Sequence, residues 1–382
     1  MFELKPHSLN LSVTVPPSKS CLHRAIICNA LAGRSMPAVY NSEDIKATER
    51  CVRAILSHRS GEKTTGKEQE NNGSVLDCGE SASTLRFLIP VMCAISEKNT
   101  FLFSPTLGRR GIEAYFPIFE KQGIKYKITE TSLETKGKLT FGEYIIDGSL
   151  SAQYVTGLLL ALPLLSGNSR ISVINGLVSA PYADLTLEIM EKFGVYAEKG
   201  DPFSYFVRGG QTYKKCDYTP EGDWSSGAFW YFLREKHNIV IKGLNEISFQ
   251  PDSIIRDILP TLPKVFSVRD CPDLAPCLTA YAISTGKPLT IEDAGRLKYK
   301  ECDRLNAMNE FKKLGADIKT EEDRIIIGTD HNLRRGYVRS FSDHRMLMAW
   351  TVFAYLTGLT VFTDSKECIN KSYPNLFDIL EN

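Results

Sequence analysis

The stretch DCGESASTLRFLIPVM, residues 77–92, joins a turn of small and polar residues to a segment that reads as a helix apolar on every side. Five further segments follow the same plan: PPSKSCLHRAIICNAL (16–31), DGSLSAQYVTGLLLAL (147–162), EGDWSSGAFWYFL (221–233), DCPDLAPCLTAYAI (270–283) and FSDHRMLMAWTVFAYL (341–356). A helix that is apolar all round needs cover on every side, so we expect these helices inside a domain. The recurrence predicts a repeated structural unit.

A second helix is predicted after each of these segments, because apolar residues there recur at three- and four-residue spacing and so mark one buried face. Three of these amphipathic segments end at Gly123, Gly194 and Gly315, where Gly suits a left-handed C-cap, and a β-like stretch follows each. Each unit of about 60 residues thus reads as strand, apolar helix, strand, amphipathic helix and strand. Three units per domain would place three apolar helices at each centre, with sheets outside. An ordinary α/β protein with chance similarity is the alternative.

Length and charge bound the class of protein. A chain of 382 residues is long enough for two domains. Lys and Arg number 46 against 45 Asp and Glu, a net charge of +1, which argues against a general binder of nucleic acid or membrane surfaces. The N-terminus lacks an apolar signal core and no run of about 18 apolar residues occurs, so we expect no membrane span. The ten cysteines lack zinc-type pairing, and we expect buried free thiols in a reducing, cytoplasmic setting.

One motif is misleading. Residues 61–67 read GEKTTGK, which is close to the spacing of a phosphate-binding P-loop. No buried strand precedes it, Glu68 stands in place of Ser or Thr, and a polar run follows instead of a helix. We therefore interpret residues 60–74 as an exposed loop.

Basic residues cluster where predicted helices begin. A helix N-terminus offers free N–H groups and a positive dipole end, and added Lys or Arg makes a site for phosphate or carboxylate. Taken singly, each of these residues could form an ordinary surface ion pair. If the repeated units converge, together they build one anion-binding cleft from Lys19, Arg24, Arg86, Lys300, Arg304, Arg345 and Lys371.

Eight motifs along the chain resemble those of the EPSP synthase family of enolpyruvyl transferases, in the same order. They cover nearly the whole chain and read PSKS (17–20) with Arg24, LDCGESASTLR (76–86), GSLSAQ (148–153), VSAPYAD (178–184), CPD (271–273), KECDR (300–304), DHR (343–345) and KSYP (371–374). One such motif is weak, whereas eight in order are specific.

The resemblance implies an α/β fold of two domains, each an inverse α/β barrel, or prism, of three βαβαββ units. The first domain is then discontinuous, formed by residues 1–18 and 221–382, and residues 19–220 form the second. The resemblance also implies an active site in the cleft between the domains. We expect a cytoplasmic monomer that binds no nucleic acid and no membrane.

The implied reaction moves the enolpyruvyl group of phosphoenolpyruvate to the 5-hydroxyl of 3-phosphoshikimate and releases phosphate, with no metal and no organic cofactor. The motifs assign 3-phosphoshikimate to Lys19, Ser20, Arg24, Ser151, Gln153, Ser179, Tyr182, Asp273 and Lys300. They assign phosphoenolpyruvate to Lys19, Arg110, Gln153, Arg304, Arg345 and Lys371. Arg109 is the alternative to Arg110. The catalytic residues implied are Asp273 as base, Glu301 as acid with a raised pKa, and Lys19 assisting.

The chain departs from the family pattern at several positions. Glu80 and Ala82 replace an amide and a glycine in the loop that holds phosphoenolpyruvate, and Arg296 stands where an Asn helps to bind 3-phosphoshikimate. His23 and Ala152 also differ from the usual residues. These changes keep open a non-catalytic anion-binding homologue. A UDP-N-acetylglucosamine enolpyruvyl transferase is the other alternative, although its reactive Cys loop and its opening motif are missing.

Overall fold

The structure is a computed structural model that describes residues 1–36, 40–60, 73–201 and 203–381. The P-loop-like stretch 61–67 lies outside the described residues. The strands are β1 Phe2–Leu4, β2 Asn10–Thr14, β3 Ser74–Gly79, β4 Lys98–Phe103, β5 Lys125–Ile128, β6 Ser132–Lys136, β7 Glu143–Asp147, β8 Ser169–Ile174, β9 Ala197–Gly200, β10 Ser204–Val207, β11 Asn238–Lys242, β12 Val265–Ser267, β13 Leu289–Glu292, β14 Ile318–Thr320, β15 Ile325–Ile327, β16 Gly336–Tyr337 and β17 Val361–Thr363.

The α-helices are α1 Lys19–Leu31, α2 Glu43–Ser60, α3 Ala82–Ile95, α4 Pro105–Arg109, α5 Phe116–Lys121, α6 Gln153–Ala161, α7 Pro181–Lys192, α8 Trp224–Leu233, α9 Ile255–Ile258, α10 Ala275–Thr285, α11 Arg304–Ala307, α12 His344–Thr357 and α13 Leu376–Glu381. Short 3-10 helices span Glu113–Tyr115, Leu162–Leu164, Pro251–Ile254, Pro272–Leu274, Gly295–Tyr299, Met308–Leu314 and Glu367–Lys371.

The chain divides into two compact units. The terminal unit comprises Met1–Ser18 and Glu221–Asn382, and the inserted unit comprises Lys19–Pro220. Each unit has its own apolar core.

In the inserted unit, two segments each build a four-stranded sheet by the same route. One sheet has the order β3-β4-β6-β5 and the other the order β7-β8-β10-β9. In both sheets the first two strands pair in parallel and the remaining pairs are antiparallel. A parallel pair needs a crossover connection, and α3 and α6 supply it here. Both segments therefore have the βαβαββ order.

The terminal unit repeats this plan once in a continuous segment and completes two further sheets with strands from the N-terminus. The sheet β12-β13-β15-β14 has the same parallel-then-antiparallel pairing, with α10 as its crossover. Strand β2 pairs in parallel with β11, and β1 pairs antiparallel with β17. No sheet among the described residues closes into a barrel. The mixed α/β class is confirmed, and the inverse-barrel arrangement stays a prediction.

The apolar helices are buried in the cores, as their composition predicts. Helices α1, α3 and α6 lie in the core of the inserted unit, and α8, α10 and α12 lie in that of the terminal unit. Helices α3 and α6 pack closely because Gly157 has no side chain. A Cβ there would lie 2.5 Å from the carbonyl oxygen of Arg86 and 2.5 Å from the hydroxyl of Tyr115.

The amphipathic segments fold less uniformly than their periodicity predicts. Gly123, Gly194 and Gly315 adopt the predicted left-handed conformation, with φ of 68°, 73° and 83°. Helices α2 and α7 are long, whereas the segment after Asp303 turns from α11 into a 3-10 helix. There the amide of Asn309 donates to the carbonyl of Asn306 at 3.2 Å, and such side-chain bonds compete with regular helix bonds.

The ten cysteines are free thiols, and seven are buried. Within the described ranges, no helix combines the length and the hydropathy that crossing a membrane requires.

Candidate active site

A cluster of charged side chains in the terminal unit is centred on Arg304 at the start of α11. Its guanidinium is 1% exposed and donates to Asp343 Oδ2 at 2.7 Å, Asp273 Oδ1 at 2.8 Å and Glu301 Oε2 at 2.6 Å. These ion pairs hold the pKa of Arg304 well above its ordinary value although burial opposes the charge. Arg304 thus links three acidic segments of the chain. Its contact with phosphoenolpyruvate stays a prediction.

Asp273 is a carboxylate of this cluster that lies close to three basic side chains. Besides Arg304, the Nζ of Lys300 lies 3.5 Å from its Oδ1, and Nη2 of Arg345 lies 3.6 Å from its Oδ2. Burial favours the neutral acid, but these cations outweigh it and hold the pKa of Asp273 well below its ordinary value. Asp273 is therefore an ionised carboxylate at neutral pH, and its side chain remains 29% exposed.

Glu301 is also paired with cations. Its Oε2 accepts from Arg304, and its Oε1 lies 3.5 Å from the Nζ of Lys371. The raised pKa expected for Glu301 as an acid stays a prediction. An anionic substrate that engaged Arg304 and Lys371 would weaken this pairing.

Arg345 stands at the first turn of α12, which Asp343 caps by accepting a hydrogen bond from the Arg345 backbone N–H at 2.8 Å. The guanidinium is buried, and its Nη1 donates to the carbonyl oxygen of Ser225 at 3.1 Å. Its buried Nε has no hydrogen-bond partner among the described residues. A strongly charged donor in this state suits an anion.

Lys300 completes the cluster beside Asp273. Burial lowers its pKa to about 8, the charge of Asp273 opposes this, and Arg296 and Arg304 lower it further. Lys300 is thus a cation that titrates close to neutrality.

In the inserted unit, the start of α1 carries a second group of predicted residues. Lys19 Nζ lies 2.9 Å from Oδ2 of Asp44, and both side chains are mostly buried. The carbonyl oxygen of Ser20 accepts a hydrogen bond from Arg24 at 2.7 Å.

Arg24 is buried, and its N–H groups donate hydrogen bonds to other residues of the protein. It donates to the carbonyl oxygen of Tyr182 at 2.9 Å and to the hydroxyl of Thr186 at 2.8 Å, and its guanidinium lies 5.0 Å from the ring centroid of Phe87. Burial lowers its pKa to about 10, which still leaves it charged at neutral pH. The geometry gives Arg24 a positioning role between α1 and α7, and its predicted contact with 3-phosphoshikimate stays a prediction.

A third set of residues joins α3, α6 and the end of α4. Arg86 Nη1 donates to Oε1 of Gln153 at 2.8 Å, and the Gln153 amide donates to Oγ of Ser83 at 2.9 Å. Arg86 Nη2 donates to the carbonyl oxygen of Arg110 at 2.6 Å. One buried guanidinium therefore orients the side chain of Gln153 and the backbone beside Arg110. Arg109, the alternative to Arg110, is exposed.

The serine-bearing turns hold the remaining predicted residues. Ser151 Oγ accepts from the backbone N–H of Gln153 at 3.2 Å at the start of α6. Ser179 has a φ of 55°, and its buried Oγ has no hydrogen-bond partner among the described residues. Tyr182 follows in the first turn of α7. A strained, buried hydroxyl without a partner suits a bound ligand.

The atypical residues also have defined surroundings. Glu80 is exposed, and Ser81 caps α3, whose first residue is Ala82. Arg296 Nη1 donates to the carbonyl oxygen of Arg269 at 2.8 Å. His23 Nδ1 lies 2.6 Å from the hydroxyl of Thr48, and burial lowers its pKa to about 3, so its ring is neutral.

Sequence reasoning missed two acidic partners and the positioning role of Arg86. Asp44 and Asp343 contact predicted site residues from 25 and 39 positions away along the chain. Asp343 lies in a quoted motif, so its place at a helix cap was a usable signal. Asp44 lies in an ordinary amphipathic helix and gave none.

No group of three or more His, Cys, Asp or Glu side chains in the described part of the chain is arranged to hold a metal ion. The predicted absence of a metal or cofactor stays a prediction.

The sequence is similar to that of known enzymes over nearly its whole length. The family model described as EPSP synthase (3-phosphoshikimate 1-carboxyvinyltransferase) matches residues 4–263 and 236–380. The chain is 36% identical over 406 residues to the 3-phosphoshikimate 1-carboxyvinyltransferase of Clostridium kluyveri, covering 98% of this chain and 95% of that protein. The enzyme of the same name from Clostridioides difficile is 36% identical over 417 residues, with 98% and 95% covered.

Solved structures show the same fold at lower sequence identity. An EPSP synthase from Acinetobacter baumannii superposes with a TM-score of 0.77 at 20% identity, covering 99% of this chain and 97% of that one. The enolpyruvyl transferase NikO from Streptomyces tendae superposes with a TM-score of 0.71 at 14% identity, with 99% and 96% covered. The fold is that of these enolpyruvyl transferases. Within that class, the chain belongs to the EPSP synthase (3-phosphoshikimate 1-carboxyvinyltransferase) family.

Proposed function

We propose that this chain transfers the enolpyruvyl group of phosphoenolpyruvate to the 5-hydroxyl of 3-phosphoshikimate, giving 5-enolpyruvylshikimate 3-phosphate and phosphate. The reaction is a step of the shikimate pathway, which leads to aromatic amino acids. The observation that carries the proposal is the cluster around Arg304. It combines a partly exposed, ionised carboxylate with cations that can hold the phosphates and carboxylates of two substrates.

Phosphoenolpyruvate binding is assigned to basic side chains of the cluster around Arg304 and of the inserted unit. The buried Nε of Arg345 has no hydrogen-bond partner within the described ranges, and Nζ of Lys371 lies 3.5 Å from Oε1 of Glu301. Arg304 gives the site its fixed positive charge, because three carboxylates hold its guanidinium in place. Arg110, Gln153 and Lys19 complete the proposed set.

3-Phosphoshikimate binding is assigned to the serine-bearing turns and to Lys300. Ser179 offers a buried hydroxyl that has no hydrogen-bond partner in the described part of the chain, and Tyr182 lies one helical turn beyond it. Ser20, Ser151, Gln153, Arg24, Lys19 and Asp273 complete the proposed set.

The proposed chemistry begins with removal of the proton from the 5-hydroxyl. Asp273 is assigned this role because three neighbouring cations keep it ionised at neutral pH. The same cations weaken it as a base, so we propose that its proton affinity rises when the substrate anions engage Lys300 and Arg345. The oxygen attacks C2 of phosphoenolpyruvate while the CH2 carbon gains a proton, which gives a tetrahedral adduct.

Glu301 is the proposed proton donor for the CH2 carbon, with Lys19 assisting. Glu301 can take up a proton once a substrate anion draws Lys371 away from it and partly neutralises the charge of Arg304. Asp273 then passes the hydroxyl proton to the departing phosphate oxygen and, again as the proposed base, removes a proton from the methyl group. The C2–O bond to phosphate breaks, the carbon–carbon double bond is restored, and the proton held by Asp273 returns through solvent to Glu301.

Phosphate release with phosphoenolpyruvate and 3-phosphoshikimate tests the proposal, with mass analysis of the organic product. We expect release only when both substrates are present. Release with UDP-N-acetylglucosamine in place of 3-phosphoshikimate would support the other transferase. No release with either acceptor would support a non-catalytic anion-binding protein.

We also propose the finer features that the family suggests: an inverse-barrel arrangement of each unit, a monomeric state and a cytoplasmic location. Buried free thiols are compatible with a reducing compartment. The position of the active site in a cleft between two domains stays a prediction.

A further inference from the structure

Asp252 is a buried carboxyl group that no assigned site includes. It lies in the 3-10 helix Pro251–Ile254, and its side chain is fully shielded from solvent. One carboxyl oxygen, Oδ2, accepts a hydrogen bond from the hydroxyl of Ser225. The other, Oδ1, has no hydrogen-bond partner among the described residues. A buried carboxylate with an unsatisfied oxygen costs far more free energy than the neutral acid does.

Ser225 connects this carboxyl group to the proposed phosphoenolpyruvate site. Its hydroxyl donates to Asp252, and its carbonyl oxygen accepts from Nη1 of Arg345. The same residue at the start of α8 therefore contacts the buried acid and the buried cation. A change at Asp252 acts on Arg345 through this shared residue and through the charge itself.

Three neighbouring structural elements place charged side chains close to Asp252. Asp223 caps α8, Asp273 lies in the 3-10 helix Pro272–Leu274, and Arg345 lies in α12. The thiol of Cys271 is also nearby: burial raises its pKa, and the charge of Asp252 raises it further. Helix α9, which follows Asp252 in the chain, carries Arg256 and Asp257, which are exposed and paired with each other.

Two of these neighbours are acidic and only one, Arg345, is basic. An anion bound at Arg345 would offset this one positive charge, so ionisation of Asp252 would become still less favourable. We propose that Asp252 is a positioning residue for Arg345 that takes up a proton from solvent when phosphoenolpyruvate binds. This inference rests on the proposed function. Burial and the charge of Asp273 already raise the pKa of Asp252 to about 7 before any anion is present. The proton is therefore exchanged within the range in which enzymes work.

This proton uptake decides how the affinity for phosphoenolpyruvate changes with pH. Below the pKa of Asp252 the carboxyl group is already neutral, so the anion binds without uptake of a proton. Above it, binding requires a proton, so the affinity for phosphoenolpyruvate falls as pH rises. In Asp252→Asn the group is neutral at every pH and resembles the protonated acid, so this part of the pH dependence disappears.

The test compares the pH profile of kcat/KM for phosphoenolpyruvate in the wild-type protein, Asp252→Asn and Ser225→Ala. We expect the wild-type value to fall about tenfold more than that of Asp252→Asn between about pH 6.5 and pH 9, the effect of a one-unit rise in pKa on binding. In Ser225→Ala the carboxylate loses its hydrogen bond, so the fall should move to higher pH. Ionisation of phosphoenolpyruvate itself and of Lys300 is common to the three proteins and cancels.

Parallel profiles for the three proteins would overturn the inference, because a purely structural role lowers kcat/KM by the same factor at every pH. If Asp252→Asn does not fold, the Ser225→Ala profile decides alone: a shift supports the inference and an unshifted profile overturns it. A wild-type protein that releases no phosphate would overturn the proposed function and this inference with it.

Discussion

Arg304 and Asp343 form a doubly hydrogen-bonded ion pair in the interior of the terminal unit. Nε of Arg304 lies 2.7 Å from Oδ2 of Asp343, and Nη2 lies 3.2 Å from Oδ1. The two side chains are 1% and 0% exposed. Asp343 also caps α12 by accepting from the backbone N–H of Arg345. One carboxylate thus fixes both a cation and the helix that presents the next cation.

We expect Asp343→Asn to lower the free energy of unfolding by about 3 kcal/mol, because the variant leaves the Arg304 charge buried with one partner fewer. Chemical denaturation measures the change. Asp303→Asn is the matched control, since Asp303 caps α11 and Asn caps a helix nearly as well as Asp. Equal stability of the two variants would contradict the role given to the buried pair.

We expect Asp273→Asn and Glu301→Gln each to lower turnover by at least about 10²-fold, the usual scale for removing an acid–base group. Both amides keep the shape of the side chain, so both variants should unfold cooperatively. Asp257→Asn provides the control, because Asp257 is an exposed carboxylate that pairs with Arg256 on the surface of the terminal unit. Near-normal turnover in either test variant would reject the role of that residue.

We expect Arg86→Gln to raise KM for phosphoenolpyruvate about tenfold with a smaller change in kcat, because a hydrogen bond to a charged group contributes about 1.5 kcal/mol or more. Without Arg86 the Gln153 amide and the Arg110 backbone lose their common donor. Arg109→Gln is the control, since the exposed Arg109 donates to Thr106 in its own helix. If KM for phosphoenolpyruvate is the same in both variants, Arg86 has no positioning role.

We expect the wild-type protein to be poorly inhibited by glyphosate, because the methyl group of Ala82 crowds an inhibitor longer than phosphoenolpyruvate. Ala82 is buried at the first position of α3, where it has little room to move. Inhibition constants for the wild-type protein and Ala82→Gly measure the effect, and Gly should restore sensitivity. Tight inhibition of the wild-type protein, competitive with phosphoenolpyruvate, would contradict this prediction.

We expect KM for 3-phosphoshikimate to rise as pH increases through about 8, because burial lowers the pKa of Lys300 to about 8 and the cation is lost above it. Measurements at saturating phosphoenolpyruvate between about pH 7 and pH 9.5 cover this range. Lys300→Gln should remove the pH dependence, whereas Lys298→Gln, in the 3-10 helix just before it, should retain it. The same pH dependence in all three proteins would show that another group titrates.

Much of the fold could be predicted from local patterns. Apolar runs predict the six buried helices, and glycine after an amphipathic run predicts the left-handed caps at Gly123, Gly194 and Gly315. The lengths of the amphipathic helices could not be predicted as well. The change from α-helix to 3-10 helix after Ala307 depends on side-chain bonds such as that of Asn309, which periodicity does not describe.

The sequence by itself determined the repeated apolar helices, the helix openings that carry cations, and the family to which the chain belongs. These depend on neighbouring residues and on their order along the chain. Only the tertiary structure decided which cations are enclosed by protein partners, as Arg24, Arg86 and Arg304 are. It also showed that Asp252 lies beside Arg345. Hydrogen bonds and charge interactions depend on distances of a few ångströms between residues that lie far apart in the sequence, and only folding sets those distances.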